Sequence, residues 1–325
     1  MNVTEAQIKL TGPTDLITTV PLLLGFKPEH SLVAVGLVDG HVQCTFRVDL
    51  PGSAEHIEHL PDLTPQLSRN DCDGTVLIAY GEQEVAEAAL ERSAVRLAAA
   101  GAEALDLLRV TDDRWYSLRC GRDCCPPQGR EVPETSAASC EVAVAGGYAF
   151  GDRAQVAALL DPAGSGARAA VAREVELSLA AEADSDWAAQ RGRDLHAVDH
   201  WLESERLPGP SDIATLGLAL GDVDIRDYAL RRVGAGGLPD GRADLWIWLA
   251  RHLEDDLVAP AATVAGFAAY RNGNGVLALE AFELALRAQP NYRLAQMLIA
   301  ALQAGMPPSA LDRIGGGDHA ESPNG

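Results

Sequence analysis

The run Trp115-Tyr116-Ser117-Leu118-Arg119-Cys120-Gly121-Arg122-Asp123-Cys124-Cys125-Pro126-Pro127 places three of the chain's six cysteines within six residues. Thiols this crowded can ligate a metal, form a disulfide, or serve as a redox or nucleophilic centre. A structural zinc site takes four thiolate or imidazole ligands. Cys120, Cys124 and Cys125 supply two or three of them, with Cys72, Cys44 or a histidine to complete the set. The spacing departs from the paired two-residue spacer of zinc modules, and adjacent cysteines reach one metal only with backbone strain. A Cys124–Cys125 disulfide would be strained too, hence easily reduced. Arg119 and Arg122 favour a thiolate beside them, and Asp123 opposes it. Against these stands the plain reading, unliganded thiols with a local structural role.

Other candidates are sparser. Arg47 and Asp49 are two apart on a predicted strand and project from one face. They either pair with each other or line a crevice with Lys27, His30 and Tyr80, since crevices at strand ends are the usual ligand sites of open α/β sheets. His196 and His200 are four apart on a predicted helix with Glu203 one turn on, a spacing that suits a metal or equally a solvated charged face. His56 and His59 lie near Pro61, where a helix is poorly supported. There is no phosphate-binding glycine loop, dinucleotide fingerprint, serine nucleophile elbow or zinc-protease His-Glu motif.

The elements that must position these residues fall into two groups. In the first, Gln7–Leu10 is a short strand candidate, and Pro13 opens a helix that Gly25 closes. Ser31–Val38 and His41–Leu50 form a hairpin about Asp39-Gly40. Thr75–Tyr80 is apolar throughout, as a strand buried on both faces should be. A helix follows over 84–100 and stops before Gly101. Ala104–Val110 and Arg114–Arg119 make a second hairpin about Asp112-Asp113. The sum is a mixed sheet of about six strands with flanking helices, an α/β domain over residues 1–135.

From residue 136 strand signals stop. Helices are predicted near 151–160, 168–182, 186–205, 211–220, 223–233, 241–254, 257–270, 276–288 and 292–304, giving an all-α domain over 136–314. Gly266, Ala278, Phe282, Ala285 and Pro290 fall at tetratricopeptide spacing, although Ala269 stands where that repeat has a tyrosine. Small residues there let two helices approach, with Phe282 filling the gap. One such unit is not an array, so a helical cap is preferred to a peptide-binding solenoid. The polar, glycine-rich tail 315–325 is predicted to be disordered.

A net charge of −21 excludes a general nucleic-acid or anionic-membrane binder, which needs clustered positive charge. Val20–Phe26 is too short to span a bilayer, and the start at Met1 lacks a basic n-region. A cytoplasmic location follows as the expectation, where disulfides are uncommon.

Leu10-Thr11-Gly12-Pro13-Thr14-Asp15-Leu16, Pro21 to Val33, Arg47-Val48-Asp49-Leu50-Pro51, the cysteine segment and Ala304-Gly305-Met306-Pro307-Pro308 together resemble an uncharacterised actinobacterial family, domain of unknown function 4192. The resemblance spans about residues 8–310 and implies an intracellular actinobacterial protein. It implies no activity, cofactor or catalytic residue.

Two functions stay open. The first is a non-enzymatic binding or regulatory protein, with a ligand or partner site on the α/β domain and a helical interaction surface. The second is a cysteine-dependent enzyme, or a redox- or metal-responsive protein, with Cys124 or Cys125 as thiolate and Cys120 as resolving thiol. The absence of familiar catalytic signatures favours the first.

Overall fold

The computed structural model describes residues 12–121, 125–144, 148–182, 187–235 and 238–313. The strand expected at Gln7–Leu10 and the tail from Gly315 lie outside them. The chain divides into two compact units: one runs to Gln155 and includes Gln303–Pro307, and the other holds Val156–Leu302 and the chain from Pro308.

In the first unit, helix α1 (Pro13–Leu24) starts on its proline and ends at Gly25, whose φ of 81° is the left-handed cap that glycine adopts without strain. Strands β1 (Ser31–Val38) and β2 (His41–Asp49) pair antiparallel through a tight turn. Both turn residues, Asp39 and Gly40, have positive φ, as a turn matched to strand twist requires. Helix α2 (Thr64–Arg69) precedes β3 (Gly74–Tyr80), all seven residues of which are buried. Helix α3 (Gln83–Ala99) crosses to β4 (Ala104–Thr111), which lies parallel to β3. A second tight turn, with positive φ at Asp112 and Asp113, leads to β5 (Arg114–Ser117) and the two-residue β6 (Arg130–Glu131). The sheet order is β2-β1-β3-β4-β5-β6, with antiparallel neighbours everywhere except β3–β4.

One face of this mixed sheet presents Leu32, Ala34, Leu77, Ala79 and Leu107 to Ala86, Ala89, Leu90 and Leu97 of α3, with Leu60, Leu63 and Leu67 completing the core. The alternating residues, among them Val76 and Leu108, face Pro13 and Leu16 of α1. The unit continues past residue 136, because α4 (Ala137–Val144) packs on α1 and Thr18 Oγ1 donates to Ser136 Oγ at 2.8 Å. Helix α5 (Arg153–Ala158) spans the division.

The second unit is helical throughout its described residues: α6 (Ser165–Glu182), α7 (Trp187–Glu203), α8 (Pro210–Ala219), α9 (Val223–Gly234), α10 (Ala243–His252), α11 (Val258–Arg271), α12 (Gly275–Ala288) and α13 (Arg293–Gln303). Their positions follow the predicted helices closely. A Cβ on Gly266 would meet the Phe282 ring, and Ala278, Phe282 and Ala285 are fully buried. The α11–α12 approach is thus as close as the small residues allow. Every residue of α11 from Val258 to Tyr270 is buried, so α11 runs through the core of this unit, and α12 packs on it with one face. Among the described residues no helix is long and apolar enough to cross a membrane.

Candidate functional site

Arg109 is a cation in an otherwise apolar strand run, Leu107-Leu108-Arg109-Val110, and its residue exposure is only 6%. Strand alternation turns it to the α3 face, with Leu107. A buried guanidinium needs partners. Its Nε lies 3.2 Å from Glu87 Oε1, and Nη1 donates to Thr111 Oγ1 at 3.2 Å. Thr111 in turn donates to the Gly81 carbonyl at 2.5 Å, which ties the ends of β3 and β4 together. The cross-strand neighbour of Arg109 is Tyr116, and the guanidinium sits over that ring, 3.8 Å from its centroid.

Arg109 and Tyr116 line a cleft of about 660 Å³. Gln83 and Glu87, one helical turn apart, flank it from the start of α3, and Cys120 and Cys125 flank it from the loop after β5. That volume is ordinary for a small-molecule site. The Nη2 group of Arg109 has no protein acceptor among the described residues. The same holds for the indole N–H of Trp115, a residue 3% exposed that also borders the cleft.

The described ends of the cysteine loop are held by specific contacts. Leu118 N–H extends the ladder to Leu107 O, and Cys120 N–H donates to Ser117 Oγ at 3.2 Å. Ser117 Oγ donates to Asp106 Oδ1 at 2.7 Å. At the far end, Pro126–Gly129 closes a turn, and the Arg114 guanidinium donates to the Gln128 and Gly129 carbonyls. Gly129 has φ 70°, and a Cβ there would come within 2.6 Å of the Tyr116 ring. Glycine is required both by the backbone and by the space.

The predicted residues distribute as follows. Cys120 and Cys125 line the cleft, whereas Cys124 and Arg122 lie outside the described residues. The Arg119 guanidinium bonds to the Ala104 carbonyl and lies 3.7 Å from Glu103. Cys44 and Cys72 are removed from this loop by β1, β3 and β4 and contact each other. Arg47 and Asp49 pair at 2.5 Å, with Arg47 also over the Phe26 ring and bonded to Glu29 O. Lys27 reaches Asp113 at 3.9 Å, and His30, exposed, has a positive φ of 42°. Tyr80 is buried, and that burial pushes its phenol pKa up. No hydrogen bond or ion pair among the described residues joins Lys27, His30 and Tyr80 to the Arg47–Asp49 pair. In α7, Glu203 and Asp199 pair with Arg232, and Asp199 also accepts from Tyr228. Among the described residues no three His, Cys, Asp or Glu side chains converge as a metal site would need.

Comparison with known proteins places the chain in one family. The model of a family described as a domain of unknown function (DUF4192) matches residues 13–309, most of the chain, so the chain belongs to it. No curated protein and no solved structure matched.

Proposed function

We propose that this chain is a cytoplasmic binding protein whose α/β unit holds a small carboxylate- or phosphate-bearing molecule in the Arg109 cleft. On this reading the helical unit supplies a surface for a partner protein, and the ligand conditions that role without being chemically changed. The carrying observation is Arg109 itself, a nearly buried guanidinium opening on a cleft with donors not used by the described protein residues. Guanidinium groups suit planar anions because their donors form a fixed fork. Gln83 supports the same polarity, because it opens α3 and a helix start favours negative charge. Glu87 and the Tyr116 ring hold the guanidinium in one orientation before a ligand arrives.

Thermal-shift titration with inorganic phosphate and with small mono- and dicarboxylates tests this. At least one should raise Tm in a concentration-dependent way for the wild type, and not for Arg109→Lys, which keeps the charge but loses the fork. Equal shifts in both proteins, or none in either, would remove the proposal.

The cysteine-dependent reading retains one supporting observation, the presence of Cys120 and Cys125 in the wall of the same cleft. It requires one thiol to alkylate much faster than the others near neutral pH, with a pKa well below the ordinary value of about 8.5.

A further inference from the structure

Two of the three cysteines outside the loop make contact elsewhere in the first unit. Cys44 lies on the edge strand β2, and Cys72 lies between α2 and β3. Their sulfur atoms are 3.4 Å apart, and both residues are half-buried. The space is made by Gly36, the β1 residue directly opposite Cys44. A Cβ at that position would collide with both sulfurs, coming within 2.7 Å of Cys44 Sγ. Leu67 closes the site from α2. Gly36 has no positive φ, so it is space and not backbone conformation that favours glycine here: a Cβ would meet both sulfurs and also come within 3.1 Å of Leu67. The glycine leaves the room in which the two thiols meet.

We infer that Cys44 and Cys72 are a reversible dithiol–disulfide pair, oxidised by a low-molecular-weight disulfide. A disulfide needs its sulfurs about 2.05 Å apart, so closure asks for a side-chain adjustment of somewhat over an ångström. The Cys72 thiol has its pKa lowered, chiefly by the hydrogen bond with Cys44 and against burial and the charges of Asp73 and Asp71. The Cys44 pKa is raised, by that same bond and by burial. Either sulfur can open the exchange as a thiolate, and with Cys72 first the steps are these. Cys72 attacks one sulfur of the small disulfide, forming a mixed disulfide and releasing one thiolate. Cys44 then gives up its proton and attacks Cys72 Sγ, which breaks the mixed bond and releases the second. The two protein sulfurs lose two electrons, the small disulfide gains them, and the two released thiolates take up the two protons.

This pair is distinct from the cleft. It touches the loop through which α2 holds the segment Gln303–Pro307: Asn70, two residues before Cys72, donates to Gly305 O at 2.8 Å and lies within 3.7 Å of Cys72 Sγ through its own carbonyl. Oxidation would thus be felt where this segment is anchored.

The experiment is incubation of the folded full-length protein with oxidised glutathione, followed by intact mass and peptide mapping without reduction. The expected result is loss of the mass of two hydrogen atoms with a Cys44–Cys72 crosslink, reversed by dithiothreitol. Cys44→Ser and Cys72→Ser should each abolish the crosslink, leaving any glutathione trapped on the cysteine that remains. A crosslink confined to Cys120, Cys124, Cys125 or Cys140, a stable glutathione adduct on wild-type Cys72, or no reaction at either site would overturn the inference. The wild-type map needs no variant to fold, so a poorly folding substitution leaves the test decisive.

Discussion

Arg109 and Tyr116 face each other across β4 and β5, the guanidinium 3.8 Å from the centroid of the phenol ring. This pair forms the floor of the cleft and also belongs to the sheet, so its loss should be felt in stability as well as binding. Arg109→Ala leaves the Glu87 carboxylate without its cation and empties a buried position; we expect a loss of about 2–3 kcal/mol in denaturant unfolding. Arg109→Lys should cost about 1 kcal/mol, the worth of an oriented guanidinium over a ring. If Ala and Lys cost the same, the charge facing Glu87 and the filled position add no stability; if Lys costs nothing, the ring contact carries none.

Gly129→Ala tests the anchoring of the cysteine loop. The substitution places a Cβ against Tyr116 in a left-handed backbone conformation, at a cost of about 1–3 kcal/mol. Faster alkylation of Cys120 and Cys125 should accompany it, together with faster amide exchange over the described loop residues. Unchanged exchange there would show that the turn is not what holds the loop.

In the helical unit, Gly266→Ala should lose about 1–3 kcal/mol, because the new methyl group enters the Phe282 ring. Gly266→Ala combined with Phe282→Leu should lose less than the sum of the two single changes, since the smaller side chain vacates the contested space. Simple additivity would mean that the two helices slide apart instead.

How far the sequence reveals these features depends on the kind of signal. The hairpin turns at Asp39-Gly40 and Asp112-Asp113 were legible because positive φ selects residue type locally. The helix positions were legible from periodicity, and the close approach of Gly266 to Phe282 from repeat spacing. β6 was not, because two residues, Arg130 and Glu131, carry no pattern. α4 was missed because its short run, Ala137–Val144, has little amphipathic contrast. The cleft was half legible. Crowded cysteines drew attention to one wall, while Arg109 and Glu87, distant in sequence, meet only because α3 crosses back over the sheet. One signal was available: an arginine in the apolar run Leu107-Leu108-Arg109-Val110.

Arg242 joins parts of the helical unit and sets a pH dependence. Its side chain is 9% exposed, bonds the Trp201 and Ser204 carbonyls at the end of α7, and forks onto both Asp244 oxygens at 2.9 and 3.0 Å. Burial disfavours the Asp244 charge, but the bonds and charge of Arg242 outweigh it and hold the carboxyl below the usual range. A lowered folded-state pKa contributes stability above the unfolded value of about 3.9, and that contribution is lost as pH falls through the folded value. Asp244→Asn should therefore be less stable than wild type at pH 7, by under about 1 kcal/mol because Asp244 is 58% exposed. The difference should vanish at pH values below the folded pKa. Arg242→Met should cost more, about 2–4 kcal/mol at pH 7, since it strips buried carbonyls of their donor. A pH-independent gap between Asp244→Asn and wild type would contradict this account.

The central claim is that the Arg109 cleft receives an anionic ligand. The most direct measurement is two-dimensional NMR of the wild-type protein, titrated with inorganic phosphate and small carboxylates and read at the Arg109 side-chain N–H and at the Glu87, Tyr116 and Ser117 amides. The account predicts a saturable shift at these positions for at least one of these anions, and its loss in Arg109→Met. No saturable response at the cleft, or a response that persists without the guanidinium, would contradict it.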